Sequence, residues 1–201
     1  ALTEQREMLE SSLKSEEGFD ALLTHHKDSI EKTVQDTIEK MAKTRRDELV
    51  ARKYEAFSNA DESRTDKKAI YGNPKARFSL VEFSDLECPY CKRFHETAKT
   101  LVDTSNGMVN WQWKNLPLDF HNPVAFNQAV AAECVWEQKG NRGFWVFLDE
   151  VFKNSQGGGN GIKDISEVVE SVGADIREFV ACMGSKRHEE TVRADMEMAK
   201  S

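Results

Sequence analysis

The chain has 201 residues, 39% apolar and 31% charged, with a formal net charge of -7 and a mean hydropathy of -0.64. That length holds one sizeable domain plus an extension, and the composition is that of a soluble protein with a heavily charged part. The acidic balance weighs against nucleic acid as a partner, since a phosphate binder needs a basic face, and no uninterrupted apolar run approaches the ~20 residues of a membrane span.

The sequence opens at Ala1 with no Met and no signal peptide, as a mature, processed chain does and as a recombinant fragment also would. Four cysteines, an even number, are compatible with an oxidising compartment. Leu2, Met8, Leu9 and Leu13 predict a short helix ahead of Gly18. From Phe19 to Tyr71 there is no Gly and no Pro, so nothing interrupts a long helix. Ile30, Val34, Ile38 and Met41 fall on one side of it, Leu23 extends the stripe, and Glu31, Lys32, Asp36, Glu39 and Lys40 lie between. Leu49, Val50, Tyr54 and Phe57 continue the pattern. A narrow apolar stripe on a charged helix must be buried, either against its own domain or against the same stripe of another copy. It is too sparse for a strict heptad register. Residues 1–68 are therefore expected to form an N-terminal helical arm, self-association being the leading expectation and local packing the alternative.

The turn residues of "YGNPKA", Tyr71 to Ala76, mark a boundary, and residues 69–201 form the second region. "RFSLVEFSD" reads as a strand, followed by a helix whose first turn holds Pro89. "GMVNWQWKNLPL" is a second strand, with Gly107 at its start. From Asn122 the pattern turns helical, first "NPVAFNQAVAAECVWEQ" and then "FWVFLDEVFKN". "SQGGGNG" reads as a flexible loop, and two further helical stretches run to the end. Strand, helix, strand and then several helices is an α/β arrangement with a helical insertion at about 120–200.

Chemistry concentrates at Cys88 and Cys91. A Cys-x-x-Cys opening a helix suits disulfide exchange, because the thiolate is the reactive species and a helix N-terminus stabilises negative charge. Cys88, just before the first turn, is the expected nucleophile. Cys91, one turn further in, is the expected resolving thiol, with Pro89 and Tyr90 constraining the turn between them. Half of a zinc site is the first alternative, but zinc wants four ligands and no second short-spaced cysteine pair exists. His95 and His121 could be recruited, but no metal or other cofactor is expected. Two inert buried thiols are the second alternative.

"VEFSDLECPYCKRFHE" resembles the active-site segment of the DsbA/DsbG-type thiol–disulfide oxidoreductases, and "NLPLDFHNPVAFNQAVAAEC" and "IREFVACM" resemble later segments of that group. The likeness covers roughly residues 70 to 200. It implies a thioredoxin-like fold with a helical insertion, and the N-terminal extension resembles the oligomerisation arms of isomerase-like and ScsC-type members. For Glu82, six residues before Cys88, it implies a buried acid beneath the disulfide that assists proton transfer; an exposed carboxylate is the alternative. For Lys114 it implies a lysine paired with that acid, an exposed strand-end lysine being the alternative. For Cys134 and Cys182 it implies a structural disulfide within the insertion, two buried free thiols being the alternative. His95 is expected on the helix surface or behind the reacting sulfurs. Asp119 and His121 are expected either to line the site or to cap the next helix.

The resemblance also implies cysteine-containing client proteins, a membrane redox partner protein and the bacterial periplasm. It further implies a cis-proline loop after the insertion's last helix, followed by two strands and a closing helix. The prolines are Pro74, Pro89, Pro117 and Pro123, all upstream of that helix. The expectation is that these parts follow Ser201 in a longer protein, or that the sheet is completed differently. The expected activity is disulfide isomerase or reductase. A dithiol oxidase is one alternative, and a chaperone or scaffold whose arm carries the function is another.

Overall fold

A computed structural model describes residues 2–12, 14–60, 62 and 69–201. Leu13 lies outside the described residues, as do the side chains of Leu2, Leu9 and Leu23. The chain divides into two compact units, residues 1–47 and 48–201.

The first unit holds helix α1 (Leu2–Ser12) and most of α2 (Glu16–Glu55). The Ser15 hydroxyl accepts the Gly18 N–H at 3.0 Å and starts α2 as an N-cap. With no breaker inside, α2 is supported by local pairs such as Gln35 to Glu39 at 2.8 Å and Lys27 to Glu31 at 3.9 Å. Ile30, Val34, Ile38 and Met41 line one stripe and are all exposed on the single chain.

The second unit begins at Glu48, inside the region assigned to the arm from sequence. Phe57 and Ala60 are buried in its core, and Tyr54 packs against it. The Lys53 Nζ pairs with Glu150 at 2.8 Å, and the Tyr54 hydroxyl donates to the Val172 carbonyl at 2.9 Å.

Among the described residues the sheet has three strands in the order β1 (Ile70–Tyr71), β3 (Val109–Asn115), β2 (Phe78–Ser84). Two were predicted. The third, β1, falls in the expected boundary turn, and its Tyr71 is 1% exposed. β2 and β3 run parallel, with Glu82 opposite Trp113 and Phe83 opposite Lys114. β1 runs antiparallel to β3, with Tyr71 opposite Trp111. α3 (Pro89–Thr104) is the crossover between the parallel strands. A 3₁₀ turn (Asp119–His121) leads into α4 (Val124–Asn154), followed by α5 (Ile165–Ser171), α6 (Ile176–Ser185) and α7 (Glu189–Met198). Gly140 interrupts α4 with a left-handed φ of 69°, so the two predicted helices abut there.

One face of the sheet carries the core. Trp111 and Trp145 pack tilted against each other with ring centroids 4.4 Å apart, and the His95 ring of α3 lies 4.9 Å from that of Trp111. α3 and the second half of α4 therefore cover the face that also holds Glu82 and Ser84. Asp164 caps α5 by accepting the Ser166 N–H, and Asp175 caps α6 by accepting the Arg177 and Glu178 N–H groups. A disulfide joins Cys134 of α4 to Cys182 of α6, with Cα atoms 5.9 Å apart.

Candidate active site

Strand alternation sends Glu82 and Ser84 to the covered face of the sheet. Asp85, Leu86 and Glu87 then form the turn into α3. Cys88 is the N-cap of that helix, with extended backbone (φ -83°, ψ 121°) and Pro89 at the first helical position. Its N–H donates to the Asp85 carbonyl at 3.1 Å, and its carbonyl accepts the Lys92 N–H at 3.0 Å. Its sulfur makes no capping hydrogen bond. Cys88 and Cys91 are half-buried and unbonded. Tyr90 is exposed, with the Arg93 guanidinium 4.7 Å from its ring centroid.

Burial pushes the Cys91 thiol up to about 11, against the pull of the Ser84 hydroxyl and the Asp85 N–H, while Cys88 adds to the rise. Glu82 is 8% exposed. Burial raises its carboxyl above the usual range, with the Ser84 and Trp111 side chains pulling the other way. Glu82 Oε2, Ser84 Oγ and Trp111 Nε1 are buried without a close hydrogen-bond partner.

Two carboxylates that sequence reasoning did not single out hold the turn. Asp85 Oδ1 accepts the Glu87 N–H at 2.7 Å. Its Oδ2 accepts the Leu118 N–H and meets His121 Nδ1, both at 2.8 Å, tying the motif to the segment after β3. Glu87, 1% exposed, is clasped by the Gly-rich loop that follows α4. Its Oε1 accepts from the Ser155 hydroxyl at 2.5 Å, and its Oε2 from the Gly159 and Gly161 N–H groups at 3.0 and 2.9 Å. Its carbonyl accepts the Gly158 N–H at 2.8 Å. Gly159 has φ of 84°, and a Cβ there would lie 3.2 Å from His121 Cα, so only glycine suits this seat. The loop read as flexible is thus tied to the residue before Cys88. An Asp two residues before an N–H it can accept is a legible Asx-turn signal; nothing local announces the partners of Glu87.

Lys114 does not meet Glu82. In register with Phe83, it leaves β3 on the opposite face, and its Nζ pairs with Asp195 of α7 at 2.7 Å. His121 is buried on Asp85, and Asp119 is exposed. His95 is buried inside the aromatic core. The Asn122–Pro123 peptide is cis, at the entry to α4. Beside the disulfide, Glu137 accepts from Arg187 and His188, which hold its carboxyl down at about 2.

A sequence model of the thioredoxin family matches residues 64–201. DsbA2 of Pseudomonas aeruginosa is 31% identical, with a TM-score of 0.60 over 69% of this chain and 75% of that one. The probable disulfide bond formation protein D of Bacillus anthracis is 26% identical over 142 residues, 64% of this chain and 61% of that protein. The Na(+)/H(+) antiporter NhaA 1 of Mycolicibacterium gilvum is 27% identical over 114 residues, 57% of this chain and 18% of the antiporter. The chain thus spans less than a fifth of the antiporter it matches and about three fifths of the Bacillus relative. The strand–CPYC–helix site, the helical insertion and these likenesses agree: the chain belongs to the thioredoxin family and, within it, to the DsbA-type thiol–disulfide oxidoreductases.

Proposed function

We propose that this chain exchanges disulfides with cysteine-containing client proteins in the bacterial periplasm, with Cys88 as nucleophile, Cys91 as resolving thiol and Glu82 as the base that serves Cys91. The observation that carries this reading is Cys88 at the N-cap of α3, one turn ahead of a half-buried Cys91 whose thiol is raised to about 11. The outer cysteine meets the client first. The inner one stays protonated until a base relieves it, so a mixed disulfide forms before it is resolved. The Cys134–Cys182 disulfide supports an oxidising compartment.

Isomerase or reductase is the favoured direction, because an oligomer joined through the apolar stripe of α2 would hold a misfolded client between facing sites. A second reading, dithiol oxidase, is favoured by the Bacillus relative, named for disulfide bond formation. Reduction potentials of such proteins run from roughly -270 to -120 mV, and the Pro-Tyr spacer alone does not decide between them. A membrane redox partner would return the cysteines to their working state. A scaffold carried by the arm is the remaining alternative. Alkylation of the reduced chain separates it from exchange chemistry. Cys88 is expected to be alkylated much faster than Cys91, whereas slow and equal reaction of the two thiols would favour the scaffold.

A further inference from the structure

Glu82 and Ser84 lie two residues apart on β2, so both side chains leave the strand on the covered face. Register puts Glu82 beside Trp113 on that face. Cys91 precedes His95 by one helical turn on the buried side of α3, and His95 packs on Trp111 and Trp113. The resolving thiol, the hydroxyl and the carboxylate therefore share one buried wall. Ser84 is 3% exposed, and neither its Oγ nor Glu82 Oε2 has a close hydrogen-bond partner. Yet the Ser84 hydroxyl sits near enough to both Glu82 and Cys91 to favour their ionised forms. Buried polar atoms left this way are costly, and each calls for an explanation, a redox or catalytic role among them. A hydroxyl both accepts and donates, and Ser84 is the side chain that interacts with both partners.

Resting on the reading of Cys91 as resolving thiol and Glu82 as its base, we propose that the Ser84 hydroxyl is the relay that carries the proton from the Cys91 thiol to the Glu82 carboxylate. The Cys91 S–H bond breaks and its proton passes to Ser84 Oγ, while the Ser84 O–H bond breaks and its proton passes to Glu82 Oε2. The Cys91 thiolate then attacks Cys88 Sγ of the mixed disulfide. The Cys91–Cys88 bond forms, the Cys88–client bond breaks, and the client sulfur leaves with the electron pair and is protonated by water. The client is reduced and the cysteine pair is oxidised. A thiol at about 11 is ionised to only about one part in ten thousand at pH 7, so the proton needs a route to a base.

The test uses the full chain with Cys91 as the free thiol and Cys88 in a mixed disulfide with glutathione, formed at low pH and jumped to pH 7, with glutathione release followed by acid quench and mass spectrometry. General acid–base assistance is worth about 100-fold or more, so Ser84→Ala is expected to slow release by that order. Its rate should climb about tenfold per pH unit from 7 to 9, as the unaided thiolate fraction does. Ser84→Thr, which keeps the hydroxyl, should restore most of the rate. Glu82→Gln should be slow, and the double variant no slower than the slower single one. Alkylation of Cys88 should be unchanged in Ser84→Ala, since the relay acts on the inner sulfur. Release from Ser84→Ala at the wild-type rate, with Glu82→Gln slow, would overturn the relay and leave Glu82 as the base. Wild-type release from both would overturn the base as well. Equal slowing of release and of Cys88 alkylation would assign the effect to packing and overturn the relay.

Discussion

His95 is buried among Phe57, Trp111, Trp113, Trp145 and Phe152, with both ring nitrogens lacking a close partner and Asp149 Oδ1 3.9 Å away. Burial pushes its pKa down to about 3, and Lys99 and Lys153 add to the fall. The unfolded imidazole titrates near 6.5. Between those values the unfolded chain binds more protons, so stability is complete above the unfolded value and is lost as pH falls toward 3. A single group of this kind costs about 1.4 kcal/mol per pH unit within the window. Denaturant unfolding at pH 6 and pH 4 should therefore show the wild type losing about 2–3 kcal/mol more than His95→Gln; equal losses would contradict the assignment. At this scale the sequence told Cys88 from Cys91 by their positions relative to Pro89. It did not reveal the burial of His95, which depends on Phe57, 38 residues earlier, and on rings 16 to 57 residues further on. It also left the side of Lys114 open: alternation offers two faces, and only the pairing of Phe83 with Lys114 chooses one.

Two long-range ties brace the second unit, the first of them at the site. The loop after α4 closes on Glu87 through the N–H groups of Gly159 and Gly161. Glu87→Ala should leave these donors unpaired and destabilise the chain by about 2–3 kcal/mol. Hydrogen exchange read at those two glycines should speed up ahead of the strands; unchanged protection would mean that the loop holds itself. The second tie is the bridge between α4 and α6, closing a separation of 48 residues. Replacing Cys134 and Cys182 together with Ala should cost about 2–4 kcal/mol in unfolding free energy while Cys88 still alkylates at the wild-type rate; a fall in that rate would place the bridge within the site's support. β2 and α3 were legible because alternation ends cleanly before a Pro-started helix. β1 was not, being only two residues long and set beside the turn residues Gly72, Asn73 and Pro74. The loop's order was hidden because its partner, Glu87, lies 68 to 74 residues upstream.

Across the molecule, the division at residue 47 decides how the arm is to be tested. Removing residues 1–68 would strip Phe57 and Ala60 from the core of the second unit, so substitutions in the stripe are the cleaner probe. Ile30, Val34 and Ile38 are exposed on the single chain. Burying each between copies would contribute about 1.5–3 kcal/mol, set against association costs of roughly 4–15 kcal/mol. Light scattering at micromolar concentration should show an oligomer for the full chain and a monomer for Ile30→Glu/Ile38→Glu; a monomeric wild type would contradict self-association. The helical character of the arm was plain from the absence of breakers. Its end was not, because the periodicity runs unbroken through Asp47 into residues that belong to the second core. What joins residue, element and assembly is the proposed ordered exchange at the two cysteines, and one experiment reads that order directly. The full chain carrying Cys91→Ser is incubated with a disulfide-bearing client and run without reductant. Stable mixed disulfides at Cys88 should accumulate, and Cys88→Ser should form none. Adducts on Cys91 in the Cys88→Ser chain, with none on Cys88 in the other, would contradict the account.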